Sequence, residues 1–238
     1  MGCGINTPTL NPPILCKFSG REATCRIKTI AFSSSSPNQE PISTTTLPKH
    51  DACAAKFKTL GACKLGISMY PDFEYNAQGG TGTGIVTNTH QDDLNNEISI
   101  SFDLKTLYIP PLTSATTKFL GFPLPPPLRI DISPELFQGT VEQESGKVDL
   151  EFTAKFTFSV GSIYRAPPLL VKTTLTTEES NGQKRSGRGE RLDKEGKCRL
   201  VGVASVDPID EVFMNTFLGL PTECIADLNA IISFSDSS

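Results

Sequence analysis

VDLEFTAKFTFSV, residues 148–160, is the stretch whose reading decides the fold. Val148, Leu150, Phe152, Ala154, Phe156, Phe158 and Val160 alternate without a break against Asp149, Glu151, Thr153, Lys155, Thr157 and Ser159. A strand sends successive side chains to opposite faces, so a period of two describes a half-buried antiparallel strand with an aromatic wall turned inward. At ~3.3 Å per residue it extends ~43 Å, far beyond a usual strand, and is expected to bend as strands of a wrapped sheet or barrel do. Burial of its larger apolar side chains, at roughly 1.5–3 kcal/mol each, makes it a principal contributor to the core.

Its partner lies immediately upstream. Phe137, Gly139 and Val141 alternate in the same way, and Glu144-Ser145-Gly146-Lys147 carries a turn glycine. A two-residue loop at Ser145-Gly146 pairs Glu144 with Lys147, Val141 with Leu150, Gly139 with Phe152 and Phe137 with Ala154. That register sets Glu142 against Asp149, a like-charge pair that is either solvated or the sign of a bulge shifting the register.

Further alternation places strands at 97–104 and after each Pro-Pro-Leu at 126–128 and 167–169, followed by a meander at 169–179, 183–192 and 198–206. Between Tyr108 and Pro127 the prolines cannot donate to a ladder, so an irregular connection is expected, pinned to the sheet by Phe119, Leu120 and Phe122. Gly80-Thr81-Gly82-Thr83-Gly84 lacks the spacing of a phosphate loop and reads as a flexible loop. Near the C-terminus Asp207-Pro208 fits a helix start, with Ile209, Val212, Phe213, Thr216 and Phe217 as its apolar face and Gly219 as its stop. Cys224–Ile232 carries Ile225, Leu228, Ile231 and Ile232 at helical spacing, with a strand over Ala230–Phe234 as the alternative. The fold class expected is mainly β: a single antiparallel, strongly bent sheet or barrel-like domain over 64–238, with one or two short C-terminal helices.

The opening differs from the rest. Residues 1–63 hold seven Lys/Arg against three Asp/Glu, a net of +4, whereas 64–238 carry a net of −8. Residues 1–55 are basic, rich in Ser and Thr and poor in acids, without an apolar block of the secretory kind. They read as a disordered segment resembling a chloroplast transit peptide, with Asp51-Ala52-Cys53-Ala54-Ala55 similar to the small-residue stretch where such peptides are cut. Of seven cysteines, only Cys198 and Cys224 sit firmly in the body, as two buried thiols or a bridge.

Chemistry-bearing motifs are few. No G-x-S-x-G, H-E-x-x-H or Cys/His metal spacing occurs, and His90 sits in a polar stretch beside Asp92 and Asp93. No catalytic residue, metal or cofactor is assigned, and no nucleic-acid partner is expected of an acidic body. Arg185, Arg188 and Arg191, in the most charged stretch, are the candidates for an anionic surface such as lipid headgroups. Phe152, Phe156 and Phe158 are the candidate lining of an interior that is either packed core or ligand cavity.

Thr173-Thr174-Leu175 and the downstream Arg188-Gly189-Glu190 resemble the closing portion of the plastid-lipid-associated proteins, the fibrillins. That resemblance implies a lipocalin-like plastid protein associated with apolar isoprenoids and lipids. The functional expectation is a non-enzymatic plastid protein that binds an apolar ligand, a lipid or isoprenoid, or a thylakoid membrane surface. The alternatives are an assembly factor for a photosynthetic complex, docking through the proline-rich connection and C-terminal helix, and an enzyme with dispersed catalytic residues.

Overall fold

Alternation along the chain becomes a sheet that closes on itself. The structure, a computed structural model, describes residues 53–88 and 97–235. In chain order the strands are β1 (Ala54–Thr59), β2 (Cys63–Ile67), β3 (Phe73–Tyr75), β4 (Thr81–Asn88), β5 (Glu97–Phe102), β6 (Thr117–Phe119), β7 (Phe122–Pro123) and β8 (Leu128–Glu142). They continue as β9 (Lys147–Val160), β10 (Tyr164–Arg165), β11 (Leu169–Thr176), β12 (Glu179–Asn181), β13 (Ser186–Arg188) and β14 (Lys197–Val206). One helix among the described residues, α1 (Val212–Leu218), precedes β15 (Thr222–Ser235).

Eight strands, β1-β4-β5-β8-β9-β11-β14-β15, run antiparallel to their neighbours, and β15 returns to pair with β1. The ring is irregular. Along one edge β15 bonds first to β2, through Cys224–Asp227, and then to β1, through Ala230–Ser235. A flap, β2-β3-β6-β7, hangs from the first contact.

β8 and β9 form the spine, and their register corrects the expected one. Glu142 pairs with Lys147, Val141 with Val148, Gly139 with Leu150 and Phe137 with Phe152. The turn therefore holds four residues, closed by the Gly146 N–H donating to the Glu142 carbonyl at 2.9 Å, with Gly146 at φ +73°. The shift of two keeps every apolar side chain on its face and exchanges the Glu142–Asp149 clash for an attractive Glu142–Lys147 pair. Farther along, the register slips between Pro134 and Leu136, where proline supplies no N–H, so 128–142 is one bulged strand rather than two.

Other expectations need correction. The folded body begins before residue 64, because β1 starts at Ala54 and Ala55 is fully buried. The glycine tract is the start of β4, not a loop. Gly82 and Gly84 are buried, and a Cβ on them would meet Leu107 at 2.8 Å and the Ser101 carbonyl at 2.7 Å, so close packing sets their identity. The helix starts later than Asp207: Glu211 is its N-cap, its carboxylate accepting from the Met214 N–H at 2.5 Å, while Gly219 ends it at φ +65°. Cys224–Ile232 is strand, because ladders to β14, β2 and β1 claim its backbone. The middle limb of the 169–206 meander is the small β12–β13 hairpin, which forms a two-stranded sheet of its own. Residues 1–52, with most of the transit-peptide-like segment, and His90 lie outside the described residues.

One half of the ring is filled. Phe102 stacks on Phe137 with centroids 4.7 Å apart, and Phe57 meets Phe137 edge-on at 5.0 Å. Ile100, Val141, Val148, Leu150, Leu200 and Ile232 close around them, none more than 2% exposed.

Candidate site: an apolar cavity in the open half of the ring

Beyond Phe152 two smaller buried clusters, around Met214 and around Tyr75, border an open space. Phe152 leans edge-on against Phe137, centroids 5.9 Å apart, and its other side forms the floor of a cavity of about 600 Å³. The walls follow from alternation. Ile130 and Ile132 of β8, Phe156 and Phe158 of β9, and Leu169 and Val171 of β11 supply the bulky side. Opposite them β14 and β15 present Gly202, Ala204 and Ala226, whose small side chains leave the volume unfilled. Leu65, Phe73 and Phe119 of the flap cover one side, and Met214, Phe217 and Leu218 of α1 cover another.

Aromatic rings link flap to helix. Phe73 stacks on Phe119 at 4.8 Å, Phe119 meets Tyr70 at 6.3 Å, Tyr70 meets Phe217 at 5.8 Å, and Phe217 stacks on Phe213 at 5.6 Å. Around this chain the surface stays apolar: Leu120 and Phe122, both cavity-lining, are 65% and 75% exposed, and Met69 and Phe213 are also exposed. Leu120 and Gly121, at φ +52° and +81°, turn the β6–β7 loop so that these side chains project. Of the expected anchors, Phe119 packs inward beside buried Leu112 and Leu124, whereas Leu120 and Phe122 do not, a correction to the expected anchoring.

None of the described residues lining the cavity is charged. Three of its hydroxyls are committed to the protein: Tyr70 donates to the Phe217 carbonyl at 2.5 Å, Tyr75 to the Pro110 carbonyl, and Thr173 to the Val203 carbonyl at 2.9 Å. Burial pushes the Tyr75 phenol up and the Cys224 thiol up to about 11, so both are neutral at ordinary pH.

The structure thus gathers Phe152, Phe156 and Phe158 on one cavity wall. Reading β9 alone misses the facing small residues and the entire flap; the signal for them is Gly202, Ala204 and Ala226 at inward positions opposite phenylalanines. The arginines fare differently. Arg185 reaches across to the β2–β3 turn, donating to Asp72 at 2.7 Å and to the Ile67 and Tyr70 carbonyls at 2.6 and 2.7 Å. Arg188 lies 3.8 Å from Glu179, and Arg191 donates to Glu178 at 2.5 Å, which holds that carboxyl below its usual range. All three have acidic partners.

Cys198 and Cys224 are free thiols on alternate ends of the β14–β15 ladder, where Cys198 faces Ala230 and Cys224 faces Ala204. No cluster of metal-ligating side chains exists among the described residues, and none of their helices is long and apolar enough to cross a membrane.

The fold and cavity define a class: a closed antiparallel β-ring, filled at one end and hollow and carbon-lined at the other. Comparison with known families, curated proteins and solved structures finds no match to this chain.

Proposed function

We propose that the protein binds an apolar small molecule of the lipid or isoprenoid class inside the open half of its ring. The observation that carries this reading is the cavity itself, whose volume of about 600 Å³ lies within the roughly 300–1,000 Å³ of small-molecule sites. Each methylene moved from water into such a lining is worth ~0.8 kcal/mol. About ten of them give a gross ~8 kcal/mol, from which the immobilisation costs of binding are subtracted. The basic, acid-poor composition of residues 1–55 supports placing this activity in a plastid. Organic extraction and native mass spectrometry of the purified chain test the ligand. A bare chain that also fails to take up an apolar fluorescent dye refutes the proposal. A fluorescent fusion of residues 1–55 that stays outside plastids refutes the location.

Docking on a lipid surface is a second reading, favoured by the exposed Leu120, Phe122 and Phe213 around the rim. Full burial of one such side chain is worth roughly 1.5–3 kcal/mol, and a ligand soluble only in lipid would then enter without crossing water. Flotation with neutral phosphatidylcholine vesicles tests it: Phe213→Asp, at an exposed side chain outside the cavity lining, abolishes flotation while leaving dye uptake unchanged, and unchanged flotation refutes the reading.

A further inference from the structure

We infer that the cavity selects uncharged ligands and rejects ionised acids of the same hydrocarbon skeleton; this rests on the apolar-ligand reading above. A carboxylate in a site without water needs a cation or several donors to replace its hydration. The lining supplies no cation, and the Tyr70, Tyr75 and Thr173 hydroxyls already donate to backbone carbonyls. The polar liners beyond these are Thr222 and Cys224, a hydroxyl and a protonated thiol, which suit an alcohol, ketone or ester but cannot balance a negative charge.

An acid could instead enter tail first and leave its head at the mouth, but the mouth offers little for it. The cavity's large exposed liners are Leu120, Phe122 and Phe217, all apolar. Arg185, whose guanidinium reaches the 67–72 turn beside these liners, directs three of its five N–H donors to Asp72 and two carbonyls. Lys118, on β6, stands opposite Glu74 of β3 in the strand register, beside a carboxylate that an incoming anion would also meet. At longer range the body carries a net of −8 over residues 64–238, which disfavours approach of an anion. The uncharged lining and the net negative body point the same way, and neither opposes the entry of a neutral chain.

The test uses the full chain at pH 8 with the neutral dye N-phenyl-1-naphthylamine as reporter, displaced in turn by hexadecanol, methyl palmitate and palmitate. Selection for neutral ligands makes palmitate weaker than the alcohol and ester by roughly tenfold or more, a difference of about 1.4 kcal/mol per decade. Palmitate binding as tightly as hexadecanol overturns the inference while leaving the apolar-ligand reading in place. Failure of the dye and all three chains to bind overturns both.

Discussion

Filling the cavity from the β14 side should raise stability and lower affinity together. Ala204 points inward between Gly202 and Val206, is 5% exposed, and pairs across the ladder with Cys224 on the same wall. Ala204→Leu adds three carbons to space that is empty in the unliganded ring. At ~0.8 kcal/mol per buried methylene the transfer gain is about 2.4 kcal/mol. Leucine loses ~0.5–1 kcal/mol of rotamer freedom, leaving a net of about 1.5 kcal/mol. For a folded body of this size each kcal/mol moves Tm by roughly 2–4 °C, so the unliganded variant should melt about 3–6 °C higher. The same three carbons displace an equal length of ligand chain, a loss of about 2.4 kcal/mol or roughly fiftyfold in Kd. Differential scanning fluorimetry and dye titration on one preparation read both quantities. A lower Tm with unchanged dye affinity refutes the reasoning, because Ala204 would then face packed atoms rather than open space.

Three further outcomes follow from the geometry. Gly139→Ala should cost about 3 kcal/mol or more in urea denaturation, since its Cβ would stand 2.0 Å from the Asp149 carbonyl oxygen and 2.8 Å from the Leu150 Cα, backbone of the partner strand that cannot step aside. Glu223 accepts from the Gln183, Lys184 and Arg185 N–H groups at 2.6, 2.7 and 2.9 Å, and these bonds lower its carboxyl below the usual range. Its hold on the β12–β13 loop is complete above the ordinary carboxylate value and is lost as pH falls through the lowered one; hydrogen exchange at 183–185 should rise there, and Glu223→Gln should raise it at neutral pH. Burial pushes Cys198 up to about 12 and Cys224 up to about 11. Iodoacetamide at pH 8 should therefore label both slowly until unfolding, Cys224 on the cavity wall before Cys198, with bound ligand slowing Cys224 alone, as peptide mass spectrometry will show.

How much of this was legible depends on which face of each strand meets water. β9 could be read because its outward residues are polar and its inward ones are not. The hairpin parity was legible for the same reason; its register was not, because two- and four-residue turns around Gly146 preserve the same alternation. β15 hid its nature because its outward Ile225 is covered: a Cβ on Gly187 of the β12–β13 hairpin would stand 2.9 Å from the Ile225 Cδ1. Ile225 and Ile231 interrupt an outward row that is otherwise Glu223, Asp227, Asn229 and Ser233, so the period of two is broken and a helical spacing emerges by accident. The glycines of β4 look flexible in isolation; their reason lies in Phe102 and Leu107, distant along the chain. The cavity left the faintest trace, since Phe152, Phe156 and Phe158 alternate identically whether the opposite wall touches them or stands back. Small residues on β14 and β15 decide between these cases, and they acquire that meaning only once the two strands are known to face β9.

The pairing of β15 with both β1 and β2 sets an order of assembly. Two of the earliest strands in the body wait, open-edged, for a segment more than a hundred residues downstream. During synthesis the hollow half and its aromatic lining therefore stand uncovered until β15 has left the ribosome, and such long-range closure is intrinsically slow. Docking of β15 onto β1 and β2 is thus the step expected to limit refolding, after the local ladders have formed.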